Sequence, residues 1–166
     1  MKTRKLVLTA LFIALSFVGA NLKIMDTIAF DSMPGFLGAI ILGPIYGALI
    51  GVLGHFLTAV TSGFPFTVPV HLVTMLGMGV TMLAFGFIFK HFLSKNYILA
   101  VVLSLIVAVV INGPLLLLVE SPLLIPMMGK AGVIALIPVL SGVAALNVII
   151  AQGIYKYLPA KYKSWK

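Results

Sequence analysis

From Tyr97 to Val119 no residue carries a charge, and the same holds from Val68 to Phe89 and from Ala131 to Tyr155. A membrane-spanning helix needs about 20 apolar residues, within a range of about 17–25, and each of these runs meets it. A soluble domain keeps about 25% charged residues to cover its surface. Here the figure is 8%, with 62% hydrophobic residues and a mean hydropathy of +1.25. Such a chain has no polar face to offer water, so the bilayer is its solvent and each run must close its own backbone hydrogen bonds as a helix.

The remaining segments follow from the same length rule. Leu6 to Leu22 fits a short first span. Asn21 to Met33, with Lys23, Asp26 and Asp31, is polar enough for a loop. Pro34 to Thr61 is too long for one helix and short for two. Val68 to Phe89, Tyr97 to Val119 and Ala131 to Leu158 complete the set. The basic start (Lys2, Arg4, Lys5) ahead of an apolar run resembles a secretory leader, but no cleavage site follows, so it reads as a retained first helix. With 166 residues the chain suits one six-helix transmembrane domain over 1–166, with no room for a separate catalytic or ATPase domain.

Charge resolves the ambiguous stretch. Gly43-Pro44 is a strong breaker inside it. If the chain turns there and the N-terminus is cytoplasmic, Lys2, Arg4, Lys5, Lys90, Lys95, Lys156, Lys161, Lys163 and Lys166 all fall inside, and only Lys23 and Lys130 fall outside. A single kinked helix would send Lys90, Lys95 and the C-terminal lysines to the opposite side. The positive-inside rule selects six spans with both termini cytoplasmic. The net charge of +8 then reports topology and anionic headgroups rather than nucleic acid. The acids Asp26, Asp31 and Glu120 fall outside, with the longest irregular loops: Asn21 to Met33, Thr61 to Pro69 and Glu120 to Lys130. The outer face therefore carries the chemical variety from which a binding site is built.

Several residues invite two readings each. Ala10 and Ala14 share a face of helix 1, where small residues allow close approach of another helix, whether within the chain or from a partner. Gly47 and Gly51 form a GxxxG pair that favours tight internal packing. Asp31-Ser32-Met33-Pro34 is a helix start, so Asp31 is either a cap or a ligand group. Phe64 and Phe66 in the third loop either sit at the interface or lid a pocket. His55, His71, Asn112, Asn147 and Gln152 are polar groups in apolar runs, where they are costly unless satisfied. Each alone suggests an interhelical hydrogen bond; several opening toward one set of outer loops suggest a shared cavity. Cysteine is absent, the histidines lack HxxxH spacing, and no phosphate loop is present, so no metal, cofactor or enzymatic chemistry is indicated. No internal repeat points to a self-sufficient carrier.

Across nearly its whole length the chain resembles the substrate-binding S components of energy-coupling-factor (ECF) transporters. The resemblance rests on Thr9-Ala10-Leu-Phe-Ile-Ala14 after a basic start, on Phe30-Asp31-Ser32-Met33-Pro34, on Leu42-Gly43-Pro44-Ile-Tyr46-Gly47, on Asn112 shortly before a proline, and on Asn147 before an Ile-rich run. It implies the S-component fold in a plasma membrane, with docking through Ala10 and Ala14 on a membrane coupling subunit driven by two ATPase subunits. It implies ligand contacts from Asp31, Phe64, Phe66, His71, Met75, Asn112, Glu120 and Asn147. The overall sequence looks closest to members linked to cobalamin salvage, including α-ribazole; riboflavin, pantothenate or folate are the alternatives within the family, and a stand-alone carrier is the alternative outside it.

Overall fold

A computed structural model describes residues 2–21, 23–24 and 28–163. Asp26 and Lys166, two of the residues placed above by charge, lie outside this set. The elements are α1 (Lys2–Gly19), a two-residue antiparallel pair β1 (Lys23–Ile24) and β2 (Ile28–Ala29), α2 (Met33–Ile41), α3 (Pro44–Ser62), α4 (Val68–Leu93), α5 (Tyr97–Val110), a π turn (Ile111–Leu115), α6 (Leu116–Tyr157) and a short 3-10 turn (Ala160–Tyr162). Among the described residues, α3, α4 and the continuous Tyr97–Tyr157 stretch are long and apolar enough to cross a membrane.

The Tyr97–Tyr157 stretch does not run straight. Gly129 stands at φ 72°, ψ 168°, outside helical geometry and in a region that L side chains avoid. The chain folds back there. Gln152 Nε2 donates to the Val101 carbonyl and lies within bonding distance of Ser104 Oγ, both at 3.0 Å. Gly113 backs directly onto Ser141. These pairings align the two limbs as an antiparallel hairpin. The expected outer loop from Glu120 to Lys130 is therefore mostly helix, and the turn shrinks to Gly129. Two features mislead a sequence reader there. Glu120 is buried against Thr74 rather than solvated, and Pro122 and Pro126 sit inside the helix.

The Gly43-Pro44 break is present, with Gly43 at φ 123° and Pro44 opening α3. The two helices it separates are unequal. At about 1.5 Å per residue, the 9 residues of α2 rise only about 14 Å, roughly half of a hydrocarbon core of about 30 Å. The segment leading into α2 is consequently held within the bundle, and Asp31 and Ser32 are 4% and 3% exposed. Glycines close the packing around it. A Cβ on Gly47 would fall on the backbone of Ala39, and one on Gly54 would meet Ser16 of α1.

Two cores result. One end is filled by Phe36, Ile40, Met82, Phe85, Phe89, Val148 and Tyr155, with edge-on ring contacts at 4.9 Å (Phe36–Phe85) and 5.4 Å (Phe89–Tyr155). Most of the basic residues gather at this end, while Lys130 follows the Gly129 turn at the other. Lys5 lies over the Tyr46 ring, Pro44 packs on Gly86 just before Lys90, and Lys163 lies over Tyr155. At the other end Val70, Leu117, Leu124 and Val133 form a smaller core. Between them a cavity remains. The outer belt of the bundle is apolar, with Leu76, Ile98 and Leu118 among its exposed side chains, as a lipid-facing surface requires.

Candidate functional site

The cavity opens at the end of the bundle opposite most of the lysines and leaves about 100 Å³ for the centres of water-sized molecules. That is less than the about 300–1,000 Å³ of pockets that hold drug-sized ligands, so a ligand of that size enters with some opening of the walls. Apolar side chains, chiefly Leu and Val, make up most of its walls, and polar groups converge on it: Asp31, Ser32, His55, His71, Thr74, Asn112 and Glu120.

Asp31 enters from the segment before α2. Its carboxylate caps nothing, and Ser32 at the N-cap makes no side-chain bond either. Asp31 Oδ2 instead accepts from Thr58 Oγ1 at 2.6 Å and faces His55 Nδ1 at 3.4 Å. His55 and Thr58 are three residues apart on α3, so they share a face. His55 Nε2 lies 3.2 Å from His71 Nδ1 of α4, with the rings stacked at 5.4 Å. The order along this chain is Thr58, Asp31, His55, His71. Its last atom, His71 Nε2, is enclosed and unpartnered among the described residues. The arrangement is a line rather than a coordination shell, and among the described residues no His, Cys, Asp or Glu cluster is suited to a metal ion.

The opposite wall comes from the fifth and sixth helical limbs. Glu120, 5% exposed, accepts from Thr74 Oγ1 at 2.5 Å through Oε1. Asn112 is presented by the π turn. Pro114 lacks an N–H and its ring crowds the preceding turn of an α-helix, and the wider turn relieves that conflict. Such single π turns recur at functional sites.

Five of the eight residues named from sequence line the cavity: Asp31, Phe66, His71, Asn112 and Glu120. Phe64 stands behind them, edge-on to His71 at 5.6 Å. It reaches that position through a left-handed backbone at φ 51°, followed by Thr67 at φ 82°, an outlying conformation for a β-branched residue. Met75 is not part of the lining. Asn147 is fully buried on α6 but turned away from the cavity: its Oδ1 accepts from the Met33 amide at 2.9 Å, and its Nδ2 donates to Val143. It supplies the cap that Asp31 and Ser32 do not. Sequence reasoning passed over Thr58, Thr74 and Met78 and left His55 without a role. The signal for the first was the His55/Thr58 spacing on one helix face.

An apolar helical bundle with a polar-lined cavity at one end is the architecture of a membrane-embedded binding protein. The chain matches the family model described as "ECF transporter, substrate-specific component" over residues 4–159, and it belongs to that family: it is a substrate-specific membrane subunit of an ECF transporter, not an enzyme. No curated protein and no solved structure matches it significantly.

Proposed function

We propose that this protein captures a vitamin or vitamin precursor from outside the cell in the cavity bounded by Asp31, His71, Asn112 and Glu120, and delivers it inward after docking on a membrane coupling subunit driven by two ATPases. The substrate read from the family resemblance is α-ribazole or another cobalamin-related compound. The observation that carries the capture role is the convergence of buried polar groups from four separate segments on one cavity. Buried polar groups are costly without partners, and here they line one cavity at the end of the bundle.

Docking is supported by α1. Its inner face packs through Thr9, Phe12 and Ser16, while Ala10 and Ala14 are exposed between Leu6, Val7, Leu11 and Val18. A flat face with two small residues four apart suits close approach of a second membrane helix. The six-span arrangement with both termini cytoplasmic is supported by the gathering of most of the lysines, Lys130 excepted, at the end opposite the cavity.

Native mass spectrometry of the gently purified protein tests the capture role, with a bound mass in the range of α-ribazole or a related compound as the expected result. Liposome uptake separates a subunit from a stand-alone carrier: uptake is expected only when the coupling subunit and ATPases are co-reconstituted. Uptake by this chain alone would overturn the proposal.

A further inference from the structure

The geometry points to a ligand that donates hydrogen bonds and carries no carboxylate or phosphate. This deepens the reading above and rests on it, since it concerns the same cavity.

The hydrogen bonds on the cavity walls share one direction. An ionised carboxylate only accepts, and a neutral imidazole has one donor and one acceptor nitrogen. Asp31 accepts from Thr58 and faces His55 Nδ1, so that nitrogen holds the proton. With the His55 ring neutral, its Nε2 is an acceptor, and His71 Nδ1, 3.2 Å away, donates to it. His71 Nε2 is left with a lone pair. The tautomers are thus assigned by the network, with Asp31 as its terminal acceptor. Residue His71 is 4% exposed and lines the cavity, and its Nε2 has no partner among the described residues. The atom is enclosed, so a donor on the ligand would satisfy it once a shift of the ring opens it to the cavity. On the facing wall, Thr74 donates to Glu120 Oε1, which leaves Oε2 to accept a second donor. Asn112 and the Ser32 hydroxyl, both in the lining, offer both senses. The fixed polar groups on both walls therefore ask for N–H or O–H.

Charge acts in the same sense. Among the described residues the lining includes Asp31 and Glu120 and neither lysine nor arginine. A ligand carboxylate or phosphate moved into this cavity would lose its hydration, meet no cation and face two acids, a strongly unfavourable exchange. A neutral or cationic molecule with amino, amide or hydroxyl donors meets no such obstacle. Within the vitamins named above, this favours hydroxyl-bearing nucleosides and flavins over pantothenate and folate.

The test is a binding panel on the purified full chain in nanodiscs, read by calorimetry: α-ribazole and riboflavin as donor-rich probes without a carboxylate, pantothenate and folate as carboxylates of comparable polarity. Co-purification with the coupling subunit is scored in parallel. Binding of at least one of the first pair and neither of the second is expected, with at least a tenfold loss for Glu120→Gln, whose melting temperature serves as the folding control. Binding of pantothenate or folate, or of no probe at all, overturns the inference. If the complex with the coupling subunit still forms, the family role stands and only the ligand class is wrong. If neither complex nor binding is found, both readings fail.

Discussion

Asn147 on the last helix accepts the Met33 amide at 2.9 Å, so a residue 114 positions away in the chain holds the first turn of α2. That turn otherwise has an N-cap without a side-chain bond, and an unsatisfied buried amide costs about 1–3 kcal/mol. Asn147→Leu is expected to destabilise the protein by about that amount in thermal melts. Ligand affinity should fall as well, because Asp31 lies two residues before Met33. Unchanged melting would show that the Asn147 bond carries no weight.

Replacing Ala10 or Ala14 by Trp puts bulk on the exposed face of α1, away from Thr9 and Ser16. Ligand binding by the isolated protein should be retained, while co-purification with the coupling subunit and transport are lost. Transport that survives in both variants would remove α1 from the docking surface.

Gly47 faces Ala39 so closely that an added Cβ would lie 2.6 Å from the Ala39 Cα. Overpacking of this kind costs about 1–3 kcal/mol, and Gly47→Ala is expected to lower the melting temperature accordingly. Gly142 has open space around it. Gly142→Ala should be neutral or stabilising by up to about 1 kcal/mol, which makes it the matched control.

The chain has no cysteine, so single cysteines report sidedness without background. Pro65→Cys, in the exposed loop beside the cavity, should react with an impermeant maleimide in intact cells. Lys95→Cys, in the turn between α4 and α5, should react only after permeabilisation. The reverse pattern would invert the proposed orientation.

The helical runs, the turn at Gly43-Pro44 and most of the polar cavity lining could be read from sequence, because lipid imposes a length rule and makes each buried polar residue conspicuous. What those groups bond to could not. Asp31 looks like a cap in its local setting, yet its partner Thr58 is 27 residues away. Glu120, with prolines after it, has the composition of a loop until Thr74, 46 residues earlier, allows it to stay inside a helix. Asn147 carries the same amide whether it serves a ligand or a neighbouring helix. Periodicity assigns a residue to a face; it does not choose among the neighbours that face will meet.

The π turn at Ile111–Leu115 has a further consequence. Before it the buried positions step by four, through Ala100, Ser104 and Ala108; Gly113 lies within it, and Leu116, Leu117, Glu120 and Leu124 follow. The interval from Ala108 to Gly113 is one residue longer than the rhythm on either side. An α-helix advances about 100° per residue, and the wide turn absorbs that surplus locally, so the faces above and below stay in phase. The helix is a regular one with a single residue added. Removing one residue here would leave Glu120 and its neighbours facing inward while withdrawing the bulge that presents Asn112. In genetic terms, one in-frame codon separates a plain packing helix from one that offers an amide to the cavity.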